Sequence, residues 1–177
     1  MGKGVMNVTV REMVEQDIPY VAGIYLENFK GMRDHADVVR WVESKHRSKP
    51  VCMYYVATLM DQPIGYILWT EHGGFRSKAV IELEQVAVAR MYQGMGVGSM
   101  LVVESLRHVC RYLHGRGSEL KLVLVTTSTA NVNARRLYEK TINAREHALL
   151  HDIYGGDELV MVARREDIPF LDGWDHL

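Results

Sequence analysis

Val86-Ala87-Val88-Ala89-Arg90-Met91-Tyr92-Gln93-Gly94-Met95-Gly96-Val97-Gly98-Ser99-Met100-Leu101 reads as a strand that runs into a glycine-rich turn and directly on into a helix. Glycines at alternate positions (Gly94, Gly96, Gly98) let the backbone approach a ligand closely and present neighbouring N–H groups together. The helix behind them adds the positive end of its dipole. The turn is therefore suited to an anion, above all a phosphate or pyrophosphate. A bare strand-to-helix turn could use the same glycines, so the surrounding residues must decide.

Several phosphate-binding patterns fail on those residues. A Walker A loop needs Lys-Ser/Thr after its last glycine, and Gly98-Ser99-Met100 has no lysine. A dinucleotide fingerprint starting at Gly94 needs a glycine where Ser99 stands. Gly94-x-Gly96-x-Gly98 does fit the glycine core of methyltransferases that bind S-adenosylmethionine. That motif, however, expects an acidic residue at Tyr92 and follows the first strand of its domain, whereas four strand-like runs precede Gly94 here.

Working outward, the pattern predicts a strand at Asn7–Arg11 and a helix from Asp17 (as cap) to about Phe29, with Pro19 in its first turn. A second helix is expected from about Asp34 to Arg47. A hairpin is expected from strands at about Val51–Met60 and Ile64–Glu71, joined by Asp61-Gln62-Pro63. Strand Val80–Ala89 leads into the glycine turn. The following helix, Gly96–Leu113, places Val102, Leu106, Val109 and Leu113 at core-facing spacing. Leu120–Val125 reads as a buried strand, and Asn131 caps a helix over Val132–Thr141. Strands near Ala144–Ile153 and Glu158–Arg164 complete an α/β (α+β) fold. Its central sheet is mixed, mostly antiparallel, with six to seven strands flanked by about four helices. No repeat or linker divides residues 1–177, so a single domain is expected.

Gln93-x-x-Gly96-x-Gly98, preceded by Val86-Ala87-Val88, resembles the acyl-CoA-binding motif of the GCN5-related N-acetyltransferases (GNAT). A second signature begins 33 residues beyond Gly98: Asn131-Val132-Asn133-Ala134-Arg135-Arg136-Leu137-Tyr138-Glu139-Lys140 looks like that family's Asn-x-x-Ala-x-x-Leu-Tyr-Glu-Lys helix. The resemblance covers about Val8 to Arg164, is strong over residues 81–140 and is weak before Pro63. It implies a GNAT-like acyl-CoA N-acyltransferase fold with acetyl-CoA as cosubstrate. Val86, Ala87 and Val88 would bond the pantetheine arm through their backbone. Gln93, Gly94, Met95, Gly96, Val97, Gly98 and Ser99 would wrap the pyrophosphate, and Asn131 would contact the coenzyme arm. Tyr138 would act as general acid toward the departing thiolate. The family often continues to Gly-Phe where Thr141-Ile142-Asn143 stands here. Asn143 can still end the helix in a left-handed conformation.

In the implied reaction a neutral amine attacks the acetyl carbon. A lysine-type amine has a pKa near 10.4 and so needs a proton sink. Glu82 and Glu84, two apart on one strand face, are the candidates. Glu82 matches the offset used in the histone-acetylating branch, and Glu84 lies nearer the expected thioester; a solvated strand face is the alternative for both. His147 and His151 fall in a strand about 13 Å apart with no third ligand, so no metal is expected. Tyr25, Glu27, Asn28, Phe29 and Trp41 fall in the first two helices, which cover the acceptor in this family.

The expected activity is acetyl transfer to a primary amine of a small molecule. A protein or peptide acetyltransferase is the alternative within the class. A methyltransferase or a non-catalytic acyl-CoA-binding module is the alternative outside it. Composition agrees: 177 residues, 47% of them hydrophobic, suffice for a real core. Net charge is −1, and the chain splits at Val88 into 10 basic and 11 acidic residues before and 11 of each after, which gives no support for nucleic acid as partner. Cys52 and Cys110 cannot make a disulfide framework and read as reduced core thiols. Residues 1–6 lack a signal-peptide core and a myristoylation serine or threonine, and no apolar run spans a bilayer, so a cytoplasmic protein without membrane partner is expected. The aromatic, acidic tail from Ile168 to Leu177, with Phe170 and Trp174, could pack on the domain or form a homodimer contact.

Overall fold

The structure, a computed structural model, describes residues 7–32 and 34–173. The signal-peptide reading of residues 1–6 and the packing of Trp174 lie outside the described residues. Seven strands and four α-helices follow in the order β1 (Val8–Glu12), α1 (Ile18–Asn28), α2 (His35–Arg47), β2 (Cys52–Leu59), β3 (Gln62–His72), β4 (Lys78–Val88), α3 (Val97–Gly115), β5 (Glu119–Ser128), α4 (Val132–Ile142), β6 (Arg145–Leu150) and β7 (Glu158–Arg164). The strands make one sheet in the order β1-β2-β3-β4-β5-β7-β6. The β4–β5 pair is parallel, with α3 as its crossover, while β1–β2, β5–β7 and β6–β7 are antiparallel.

Two compact units divide the chain. The first holds residues 1–68 and 85–105, the second 69–84 and 106–177. The first has a core in which Val21, Ala22 and Tyr25 of α1 meet Val38 and Val42 of α2, Tyr54 and Val56 of β2, and Tyr66 and Leu68 of β3. Gly65 is required there by contact rather than by backbone angle. A Cβ at this position would lie 3.1 Å from the Ala87 carbonyl oxygen and 3.1 Å from Cδ1 of Leu101. The missing side chain is what admits Leu101 of α3 against the strands.

In the second unit Leu106, Val109 and Leu113 of α3 are fully buried, at the spacing read from the sequence. Along β5, Val123, Val125 and Thr127 are buried and Leu122, Leu124 and Thr126 half-buried, so this strand is sealed on one face rather than on both. Glu71 is buried and receives both ends of the Arg116 guanidinium, whose plane also lies over Phe75 at 4.8 Å and Tyr112 at 5.2 Å. That clamp fixes the end of β3 to the end of α3. Ile168 and Leu171 are buried and the Arg107 guanidinium lies 5.4 Å from the Phe170 ring, so the described part of the tail packs on its own chain.

The structure corrects several local expectations. Asp17 does not cap α1 with its side chain. Its buried carboxylate accepts from Arg11 at 2.6 and 2.9 Å and from the Val14 N–H at 2.9 Å. An ion pair with three good hydrogen bonds outweighs one capping bond. The hairpin turn is the two residues Met60 and Asp61, both left-handed (φ 48° and 63°), which matches the strand twist, and Pro63 already lies in β3. The last strand inserts between β5 and β6, which leaves β6 exposed at the sheet edge along its whole length, ending at Leu150. Cys52 is buried as expected, whereas Cys110 is only half-buried.

Candidate active site

The glycine turn begins where β4 ends. Gly94 (φ 74°) and Gly96 (φ 86°) both adopt the left-handed conformation, and a Cβ at either would project into open space. The backbone of the turn is thus open to a ligand on that side, where a side chain would only intrude. α3 starts at Val97, whose side chain is buried and anchors the turn, so its contribution outward is its N–H. The Met100 N–H bonds back to the Gly96 carbonyl at 3.0 Å. The N–H groups of Val97, Gly98 and Ser99 precede the first repeat of the helix ladder and point out of its positive end.

Side chains of α1 hold this turn from behind. The Gln93 amide donates to Oδ1 of Asn28 and to the Val88 carbonyl, each at 2.9 Å, and Asn28 donates to the same carbonyl at 3.2 Å. Glu27 accepts from the Arg90 N–H at 2.8 Å, and the Arg90 guanidinium returns to the Glu27 carbonyl at 2.9 and 3.2 Å. The sequence grouped Glu27 and Asn28 with the acceptor cover. In the structure they brace the turn, a role with no short-range signature because the partners lie more than 60 residues apart.

Pairing between β4 and β5 runs from Lys78–Glu119 to Leu83–Val125 and goes no further, although β4 continues to Val88 and β5 to Ser128. Among the described residues, the β4 backbone beyond Leu83, including Val86, Ala87 and Val88, has no partner strand on that side. Such an edge can pair with an extended ligand arm.

Glu84 is the first residue past the last pair, and its carboxylate accepts from the Thr70 hydroxyl at 2.6 Å. Glu82, two residues earlier on the same face, lies 2.5 Å from Nε2 of His72. Both carboxylates therefore have partners on β3. The polar alternation Thr70, His72 in β3 was the available signal for this pairing.

In the second unit α4 carries the other signature. Asn131 caps it, its Oδ1 accepting from the Ala134 N–H at 3.1 Å, and Asn143 closes it in the left-handed conformation, as read from the sequence. The cap occupies the Asn131 oxygen and leaves its amide N–H groups for a ligand. Tyr138 is 5% exposed, and its hydroxyl makes no hydrogen bond with a described residue. Burial pushes its pKa up to about 12, so it stays protonated across the physiological range. His147 lies on β6, while His151 pairs with Asp157 at 3.2 Å; among the described residues no group of three His, Cys, Asp or Glu is placed to hold a metal. Among the same residues no helix is long and apolar enough to cross a membrane.

Comparison with known proteins bears on this arrangement. The sequence matches the acetyltransferase (GNAT) family over residues 18–143. No curated protein matches it. Among solved structures, Ard1 from Thermoplasma volcanium is similar with a TM-score of 0.72 at 22% identity, over 89% of this chain and 97% of that one. NAA60 of Arabidopsis thaliana in complex with acetyl-CoA gives 0.71 at 14% identity, over 90% and 99%. A spermidine N-acetyltransferase, a chimera of SpeG from Vibrio cholerae and hSSAT, gives 0.73 at 17%, over 93% and 98%. At these identities the likeness is one of fold.

Proposed function

Because the chain belongs to the acetyltransferase (GNAT) family, whose members use acetyl-CoA, we propose that it transfers acetyl to a primary amine of a small molecule by direct attack. The observation that carries this reading is the open glycine turn at the positive end of α3, continuous with the unpaired backbone of Val86–Val88. Those two features suit a ligand with a pyrophosphate at one end and an extended amide arm behind it.

In this reading the N–H groups from Gly94 to Ser99 hold the pyrophosphate, and Gln93 acts indirectly by locking the turn to Asn28. Bound acetyl-CoA supplies an activated acyl group and a thiolate leaving group. Glu84, at the point where β4 and β5 stop pairing, takes the proton of the attacking amine, directly or through one water. Glu82 with His72 adds negative charge on the same face, which draws the ammonium form of the acceptor inward. Tyr138, kept protonated by burial, gives its proton to the departing sulfur.

The test is a thiol-release assay with acetyl-CoA across amino acids, polyamines, aminoglycosides and peptides. Small amines are expected to release coenzyme A faster than peptides do. A peptide-only response would move the acceptor to the protein class. Tighter binding of S-adenosylmethionine than of acetyl-CoA in calorimetry would overturn the reading altogether.

A further inference from the structure

β3 offers the two β4 carboxylates different partners: the Thr70 hydroxyl donates to Glu84 at 2.6 Å, and Nε2 of His72 lies 2.5 Å from Glu82. Two residues back along β3 correspond to two residues on along β4, so the contacts are consecutive rungs on one sheet face. The partners differ in chemistry. An imidazole can take up or give up a proton. A threonine hydroxyl keeps its own and, toward an ionised carboxylate, only donates. The 2.6 Å separation falls within the roughly 2.5–2.7 Å of a hydroxyl bonded to such a carboxylate. A bond of this kind holds one carboxylate oxygen in place and leaves the group able to accept a proton.

The hydroxyl is itself well anchored. Threonine is branched at Cβ, which restricts its first side-chain torsion. Its neighbours in β3, Trp69 and Glu71, point to the opposite face and are buried, and Glu71 is clamped by the Arg116 guanidinium. The strand that carries Thr70 is therefore pinned from behind. Glu84 is different: its longer, unbranched side chain has several rotamers to lose before its carboxylate holds one position. A general base must stand within hydrogen-bond reach of the proton it takes, so that freedom matters. Thr70 and Glu84 are both half-buried, which shields their bond in part and keeps the pair reachable from solvent.

We propose that Thr70 is the positioning residue for the base: its hydroxyl aims the Glu84 carboxylate at the attacking amine and touches no reacting atom itself. This rests on the acetyl-transfer reading above. In that reading the amine nitrogen bonds to the acetyl carbon as the C–S bond breaks, the amine proton passes to Glu84, and the sulfur takes the Tyr138 proton. The inference deepens it by separating the two carboxylates through what they bond to, in addition to where they stand along β4.

The experiment measures thiol release from acetyl-CoA on the full chain with two nucleophiles. One is the fastest amine of the panel above; the other is hydroxylamine, which is already neutral at neutral pH and sheds its proton readily once it has attacked. For the panel amine Thr70→Val should lower kcat about tenfold, the weight of a hydrogen bond to a charged group, and leave KM for acetyl-CoA unchanged. Thr70→Ser, which restores the hydroxyl and guards against a folding artefact, should stay within about threefold of the wild type. With hydroxylamine Thr70→Val should lose little, since the base has little to do. In a Glu84→Gln background Thr70→Val should cost nothing more, because the hydroxyl acts through that carboxylate. Equal losses with both nucleophiles, or a further loss in the Glu84→Gln background, overturn the proposal, because a merely structural role would act on any nucleophile and independently of Glu84. An undiminished kcat in Thr70→Val beside an impaired Glu84→Gln also overturns it and leaves Glu84 as the base. No thiol release with any panel amine overturns the acetyl-transfer reading, and the role of Thr70 falls with it.

Discussion

The Gln93 side-chain amide lies 2.9 Å from Oδ1 of Asn28 and donates to it, so the one long polar side chain of the glycine turn points back into the fold. In the proposed coenzyme site phosphate recognition is thereby left to backbone N–H groups, and the turn depends on α1 for its shape. Gln93→Ala and Asn28→Ala should each weaken acetyl-CoA binding about tenfold, roughly one lost hydrogen-bond connection. Because the two side chains bond each other and share the Val88 carbonyl, the double variant should cost less than the sum of the two single ones. Calorimetry with all three proteins checks this, and additive losses would show that the two residues act separately.

Tyr138→Phe should leave acetyl-CoA affinity unchanged and lower kcat about a hundredfold, the usual scale for loss of a positioned acid. Since burial raises the hydroxyl pKa to about 12, its deprotonation should not limit the wild-type rate at moderately alkaline pH. A pH–rate profile tests this second half. An alkaline limb present in the wild type and absent from Tyr138→Phe would place the titration on this hydroxyl and contradict the stated burial effect.

Glu84→Gln should lower kcat more than Glu82→Gln, by about tenfold or more, because only Glu84 stands where the β4–β5 pairing has ended. Glu82→Gln should chiefly raise KM for the amine, whereas His72→Ala, which leaves the Glu82 carboxylate in place, should not raise it. Equal kcat losses at Glu82 and Glu84 would show that position along the strand does not select the base.

Gly65→Ala should destabilise the fold by about 1–3 kcal/mol through overpacking. The new methyl would meet the Ala87 carbonyl oxygen and Leu101 at 3.1 Å, and the carbonyl is fixed by the strand. Urea unfolding measures the change. A variant as stable as the wild type would mean that α3 can shift outward without loss.

Two buried carboxyls should give opposite pH dependences. Burial pushes Asp17 up, but the Arg11 hydrogen bonds, the Val14 N–H and the Arg11 charge together hold it below its ordinary 3.8. Its stabilising effect is present above that value and is lost as pH falls through the lower, folded one. Glu158 is raised above its ordinary 4.5, with uncharged Ser128 and Leu150 opposite it and Asp157 engaged by His151. Its effect runs the other way: full stability below 4.5, lost as pH rises through the folded value. In thermal melts at neutral pH Asp17→Asn should therefore melt below the wild type and Glu158→Gln above it. The Glu158→Gln difference should vanish in mild acid, where both forms are neutral; a gap that persists there would point to packing rather than charge.

Features set by near neighbours were legible from the chain alone. The glycine turn, the Asn131 cap, the left-handed Asn143 and the helical spacing of Leu106, Val109 and Leu113 each follow from a few adjacent residues, whose steric and hydrogen-bonding preferences act whatever the rest of the protein does. The chemistry class was legible for the same reason, since two local signatures stand in order along the chain. Tertiary structure alone decided the rest. It inserted β7 between β5 and β6, turned Gln93 inward to Asn28, gave Asp17 to Arg11 instead of to α1, and brought Arg116 onto the buried Glu71. Strand order and desolvation are properties of long-range packing. A carboxylate's surroundings depend on which distant segments fold over it, and nothing in the residues beside Glu71 records that Arg116 comes to meet it.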